Sequence, residues 1–398
     1  MTGRPPAGFR AEGRIGEPRV RLVAPRRISG VRGVAVAAAA AAVLALTPQL
    51  AAADQCLTAT APAITKPAHK LRFGITPQLA GTVCDGQGQV VPESAAKRSA
   101  ALAALKPKHR TVVIRLNRLF ESDGWQGIKR FERRARRYGR AGFEVESQVR
   151  YHPKPGQEGD MPRWRRYVRN VARELGKVQA LTSLTITNEV NLPISANTSD
   201  GAYPRAVEAI VKGVPAARRA LDRIGRGDVS LGLSYAYRYI PSSDEQFWQQ
   251  LGELGGPEFR RSLDYVGVQL YPGLFYPPAL TTQSAGEATI EAMTLVRSCF
   301  MPQAHLGAGK ELWISENGYA TNLGHDDQRQ DGELDDTVRS LHAYSGTLGI
   351  SDYRYFNLRD NRPGGTDLFD DVGLLRADYT RKPAFATYRG LISRFGSR

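Results

Sequence analysis

Two stretches of this sequence end an apolar run on an amide and a carboxylate. "LTITNEVN", residues 184–191, alternates apolar and hydroxyl side chains and stops on Asn188-Glu189, while "ELWISENG", residues 311–318, stops on Glu316-Asn317. Two carboxylates facing each other across a cleft can divide the work of breaking an acetal bond. One, kept protonated, gives its proton to the leaving oxygen; the other, kept charged, attacks the carbon. Their environments must differ so that their pKa values separate, and mutual repulsion helps to keep the acid protonated. Glu189 and Glu316 lie far apart in the chain, so the fold must bring them together.

The elements that could do so are legible as a repeating pattern. Strand-like runs fall at residues 71–75, 111–117, 143–151, 181–189, 229–237, 263–271, 311–317 and 352–358. Between them lie stretches with apolar residues at three- and four-residue spacing, such as "SAAKRSAALAALK" and "PRAVEAIVKGVPAARRALDRI", which read as amphipathic helices. Strict alternation requires right-handed crossovers and a parallel sheet, and eight units fit a (β/α)8 TIM barrel. The expected organisation is thus a single α/β barrel domain over residues 71–398. A doubly wound open sheet competes with it, but no G-x-G-x-x-G follows the first strand.

In such a barrel, functional groups sit where the strands end. Arg115 and Asn117 end the second strand, Arg150 and His152 the third, and Asn188 and Glu189 the fourth. Tyr271 ends the sixth, and Glu316 and Asn317 the seventh. Side chains alternate across a strand. With Leu184 and Ile186 toward the helices, Thr185, Thr187 and Glu189 face inward; the same parity turns Arg115, Glu146 and Tyr271 inward. The seventh strand is discordant, because Glu316 shares parity with Leu312 and Ile314. Either that strand is apolar on its inner side or a bulge re-aims its end.

Both motifs together, on the fourth and seventh strands of an eight-unit alternation, resemble those of the retaining glycoside hydrolases of clan A. The resemblance covers about residues 70–398. It implies cleavage of O-glycosidic bonds in a carbohydrate substrate by double displacement, with Glu189 as acid/base and Glu316 as nucleophile, their carboxyl groups about 5 Å apart. It further implies that Asn188 binds the sugar 2-hydroxyl, that Arg115 pairs with the nucleophile, that Tyr271 donates to it and that His152 binds sugar hydroxyls. The plainer alternatives are an Arg115–Glu146 pair and a packed core tyrosine at 271. No cofactor and no metal is implied. The chain departs from the clan in two places: Val190 stands where a proline is common, and Phe356 or Leu358 where the eighth strand usually ends on tryptophan. Trp125, Trp164, Phe275, Tyr276 and Tyr319 lie on or near loops at the mouth, where aromatic rings can stack on sugars.

Other readings fit less well. A catalytically inactive barrel that binds carbohydrate or an anionic polymer would lack one of the two glutamates. A metal-dependent barrel enzyme needs several inward His, Asp and Glu residues, and of the six histidines only His152 ends a strand. The formal charge of +16 favours anionic surfaces without identifying one, and no nucleic-acid-binding signature is found.

The N-terminus reads as an export signal. An arginine-rich start leads into "GVAVAAAAAAVLAL" and then "TPQLAAAD", the order of a secretory signal over residues 1–53. The apolar run is short for a membrane span. Secretion, no stable membrane insertion and a monomeric mature chain are expected. Residues 54–70 form an arm. Of the three cysteines, Cys56 in the arm and Cys84 after the first strand are expected to pair, leaving Cys299 free near the bottom of the barrel.

Overall fold

A computed structural model describes residues 60–77, 90–238, 241–275 and 284–398. Eight strands, β1 (Arg72–Ile75), β2 (Val112–Phe120), β3 (Glu144–Arg150), β4 (Leu181–Ile186), β5 (Ser230–Ala236), β6 (Tyr265–Gln269), β7 (Glu311–Asn317) and β8 (Ile350–Tyr355), close into a barrel in chain order. Each pairs in parallel with the next, and β8 closes the ring against β1. Every expected strand is present, with ends shifted by a few residues.

The connecting helices are α1 (Ala95–Leu105), α2 (Gly124–Arg140), α3 (Met161–Gly176) and α4 (Ala206–Asp222), then α5 (Pro241–Leu254) and α6 (Pro257–Ser262). After them come α7 (Ala285–Leu295), α8 (Asp327–Leu348) and the closing α9 (Pro383–Phe395). The alternation is thus looser than strict, because α5 and α6 both lie between β5 and β6. Local signals start the helices. Asp160 accepts from the amide of Arg163 at 2.9 Å to open α3, and Asp326 from that of Arg329 at 2.7 Å to open α8. Several helices bury one stripe, while α4 and α7 are buried over most of their surface. On α3 the stripe is Trp164, Val168, Val171 and Leu175, spaced to lie over the strands.

The face of the barrel turned to the helices is aliphatic and aromatic, with Phe73 and Tyr355 against Tyr388 and Tyr235 against Trp248, whereas its interior carries buried charges. Arg354 donates to Asp352 at 2.6 Å and to Glu146 at 2.9 Å. Glu146 also lies 3.3 Å from Arg115, which in turn lies 2.6 Å from Glu316. A ladder of alternating charge therefore climbs the barrel axis from its floor to its mouth. Beside it, the rings of Tyr265 and Trp313 stack at 3.4 Å. Glycine makes room for these side chains: a Cβ at Gly232 would sit 2.1 Å from the Tyr265 ring, and one at Gly74 would sit 2.5 Å from Arg354.

The arm is described from residue 60. The amides of Thr65 and Lys66 donate to Thr347, and that of His69 to Ser345, so the arm runs along the end of α8 before entering β1. The signal segment 1–53 and both Cys56 and Cys84 lie outside the described residues. Cys299 is a buried free thiol. No helix among the described residues is long and apolar enough to cross a membrane.

Candidate active site

Glu189 and Glu316 line one cleft of about 250 Å³ at the C-terminal ends of the strands. Local backbone departures put them there. β4 ends at Ile186, and then Thr187 (φ 72) and Glu189 (φ 46) both take left-handed conformations. These are costly for residues with a side chain, most of all for β-branched Thr187. The twist lets Asn188 and Glu189 both reach the cleft, which simple alternation would not allow. On β7, Ile314 pairs with Val268 but Glu316 pairs with Gln269. One extra residue on β7 makes a bulge, so Glu316 turns inward despite sharing parity with Leu312 and Ile314.

The two carboxylates have different surroundings. Three donors converge on Glu316: Arg115 Nη1 at 2.6 Å and Gln269 Nε2 at 3.1 Å on one oxygen, and Tyr271 Oη at 2.9 Å on the other. Burial, and next the facing Glu316, hold the Tyr271 hydroxyl well above its ordinary range, so it keeps the proton it donates. Arg115 serves both partners expected as alternatives for it, Glu146 and Glu316.

Glu189, by contrast, accepts only from the neutral amide of Asn188, at 3.2 Å, among the contacts described for its carboxylate. Its pKa is pushed up to about 8, first by removal from bulk water and second by the charge of Glu316; Arg150 and Arg115 act in the opposite direction. Both effects favour the protonated form of Glu189.

Asn188 joins the two halves of the site. Its side-chain oxygen accepts from Gln148 and from Gln269, both at 2.7 Å. The same Gln269 nitrogen reaches Glu316. The Asn188 backbone is fixed from behind by Asp200, whose carboxylate accepts from the amides of Asn188 (2.9 Å) and Tyr151 (2.7 Å) and from Arg150 (2.7 Å). Sequence reasoning did not find Gln148, Gln269 or Asp200. Inward parity on β3 and β6 was available for the glutamines, but nothing local marked the loop residue Asp200.

Of the residues expected at the site, the structure brings together Glu189, Glu316, Asn188, Arg115 and Tyr271. His152 lies apart from the residues lining the cleft, bonded to Ser122 at 3.0 Å and packed against Phe120 and Tyr203. Trp125, at the start of α2, is half exposed and carries Lys129 over its ring, also away from the cleft. Trp164 is core, its indole donating to Ala209. Phe275 and Phe356 line the cleft while Leu358 is buried beneath, so Phe356 occupies the wall position at the end of β8. Among the described residues no cluster of His, Cys, Asp or Glu is placed to hold a metal ion.

The closed parallel barrel is a (β/α)8 fold, and solved glycoside hydrolases share it. The chain is similar to GH5_18 from Streptomyces cattleya, solved in complex with GlcNAc, at 13% identity and a TM-score of 0.57, over 82% of this chain and 81% of that one. It is similar to a GH5_18 from Bifidobacterium longum subsp. infantis at 15% identity and a TM-score of 0.57, over 83% and 80%. A beta-glucosidase from Exiguobacterium marinum matches at 13% identity and 0.56, over 84% and 99%. At these identities the shared property is the fold. Neither a protein-family model nor a curated protein matches the chain.

Proposed function

We propose that this protein is a retaining glycoside hydrolase, exported through its N-terminal segment, that cleaves O-glycosidic bonds by double displacement. Glu316 attacks the anomeric carbon while Glu189 gives its proton to the glycosidic oxygen, so the aglycone leaves as an alcohol and the sugar stays esterified to Glu316. Glu189, now a carboxylate, takes a proton from water as that water attacks the same carbon, which frees the sugar and restores both groups. The observation that carries this reading is the asymmetry of the pair. Glu316 is gripped by three donors, and Glu189 has its pKa raised in the same cleft.

Each surrounding group has a part in that cycle. Arg115 and Tyr271 hold Glu316 in line for attack and balance its charge before and after the ester forms. Asn188 presents its amide between the two carboxylates, where a sugar 2-hydroxyl would bind. Solved neighbours support a carbohydrate substrate: one is bound to GlcNAc and another, a Glu→Ala variant, to Manb1-4GlcNAc.

A hydrolysis screen over aryl glycosides and polysaccharides, run on the wild type and on Glu316→Gln, tests the proposal. Release of a sugar by the wild type and its loss in the variant are expected. A panel on which the two proteins behave alike would remove the hydrolase reading.

A further inference from the structure

Arg118 presents a charge that the proposed chemistry does not use. It lines the same cleft as Glu189 and Glu316, and it gets there by a second bulge. On β2, Leu116 pairs with Ser147 and Leu119 with Val149. Asn117 and Arg118 therefore stand opposite the single residue Gln148. Without the extra residue, alternation would send Arg118 out among the helices; with it, Asn117 and Arg118 both turn to the mouth.

The other ionised groups around the cleft fall in opposite-charge pairs. Glu316 is matched by Arg115 at 2.6 Å. Arg150 is matched by Asp200 at 2.7 Å, and Arg238 lies 3.7 Å from Asp244. Burial and the facing Glu316 favour the neutral form of Glu189. Arg118 has no acidic partner among the described residues, and its contact is a ring: its guanidinium carbon lies 5.7 Å from the Phe120 centroid, while that of Arg150 lies 5.3 Å from the same centroid. Burial, then the neighbouring Arg150, pushes the pKa of Arg118 down from the usual arginine value, the mark of a cation short of counter-charge. A half-buried cation beside another cation is an unfavourable arrangement for a cleft that admits only neutral sugars. A ligand that brings its own negative charge relieves it.

We propose that Arg118 recognises an anionic substituent, a carboxylate, sulfate or phosphate ester, on a sugar bound beside the scissile bond, and that the cleft prefers acidic glycosides over neutral ones. This deepens the hydrolase reading and rests on it for the identity of the ligand as a glycoside. A planar fork of N–H donors suits two oxygens of one anionic group.

The test uses uronate-containing disaccharides, the same disaccharides with the carboxyl reduced to an alcohol, and their sulfated and phosphorylated counterparts. Binding is measured by calorimetry on the full chain carrying Glu316→Gln, with and without Arg118→Met, and hydrolysis is followed separately in the Glu316 background. At least one anionic series is expected to bind tenfold or more tightly than its neutral counterpart, and the series that does so identifies the group. Arg118→Met should erase the preference and leave neutral binding within twofold, and 0.5 M salt should weaken anionic binding alone. Arg118→Lys, which keeps the charge and loses the fork, should retain part of the preference and serves if the methionine variant does not fold. Equal binding of acidic and neutral sugars, or a preference that survives Arg118→Met, overturns the proposal. Hydrolysis of neutral glycosides with no anionic preference removes the Arg118 assignment and keeps the hydrolase. An Arg118-dependent anionic preference without any hydrolysis does the reverse.

Discussion

The guanidinium of Arg115 lies 2.6 Å from Glu316, a residue 201 positions later in the chain. Both side chains are buried, and on its other edge Arg115 faces Glu146 at 3.3 Å. Arg115 is therefore the rung that ties the charged ladder inside the barrel to the reacting groups at its mouth. Arg115→Met would leave Glu146 with the Arg354 guanidinium and the Thr185 hydroxyl, and Glu316 without its cation. Breaking a buried pair from one side costs about 3–5 kcal/mol. Denaturant unfolding should register a loss of that size, together with a large fall in kcat. A loss below about 1 kcal/mol would show that the ladder does not support the fold.

The two glutamates should respond differently to replacement. Glu316→Gln loses nearly all turnover on every substrate, because no nucleophile remains. Glu189→Ala loses roughly 10²–10⁴-fold on substrates with poor leaving groups, and far less on activated aryl glycosides that need no proton. Similar residual rates for both variants on a dinitrophenyl glycoside would contradict the assigned roles.

Activity should fall as pH rises through about 8, because only protonated Glu189 can serve as the acid. With an activated leaving group, Glu189→Ala should lack that limb of the kcat/KM profile. Stability is linked in the same direction. The folded pKa of Glu189 is raised, so the folded state holds this proton more tightly than the unfolded chain. The resulting stabilisation is fully present below about 4.5 and is lost as pH climbs to about 8. Glu189→Gln should shrink the difference in unfolding free energy between pH 5 and pH 9; an unchanged difference would remove Glu189 as its source.

Asp200 holds the ends of β3 and β4 together through Arg150, Tyr151 and Asn188. Asp200→Ala strands a buried arginine and two amides. Thermal melting should show a loss of several kcal/mol. Turnover should drop as well, since the turn that presents Asn188 and Glu189 loses its brace; full activity in a folded variant would mean that the left-handed turn sustains itself.

The sequence made some of this visible for definable reasons. Strands and helices were legible because a parallel barrel repeats one pattern of apolar spacing eight times. Parity placed Arg115, Glu146, Thr185 and Tyr271 on the inner face, where the structure has them. Parity failed where the backbone leaves the regular ladder. Glu316 and Arg118 reach the cleft through bulges, and a bulge is set by pairing between strands rather than by any residue within one. The left-handed turn at Thr187–Glu189 is equally invisible in residue types that rarely adopt it. His152 follows β3 closely enough to count as a strand end, yet its ring turns toward Ser122 and Phe120. Gln148 and Gln269 read as ordinary polar strand residues until the amide of Asn188 is seen between them.

The configuration of the first sugar released tests the central claim most directly. Proton NMR of the early reaction, on whichever glycoside the screen shows to be cleaved, resolves the product anomers before they interconvert. Two successive displacements, by Glu316 and then by water, must return the anomeric carbon to its starting configuration, so the first-formed sugar should carry the anomer of the substrate. An inverted first product would mean a single displacement by water, and Glu316 could not be the nucleophile.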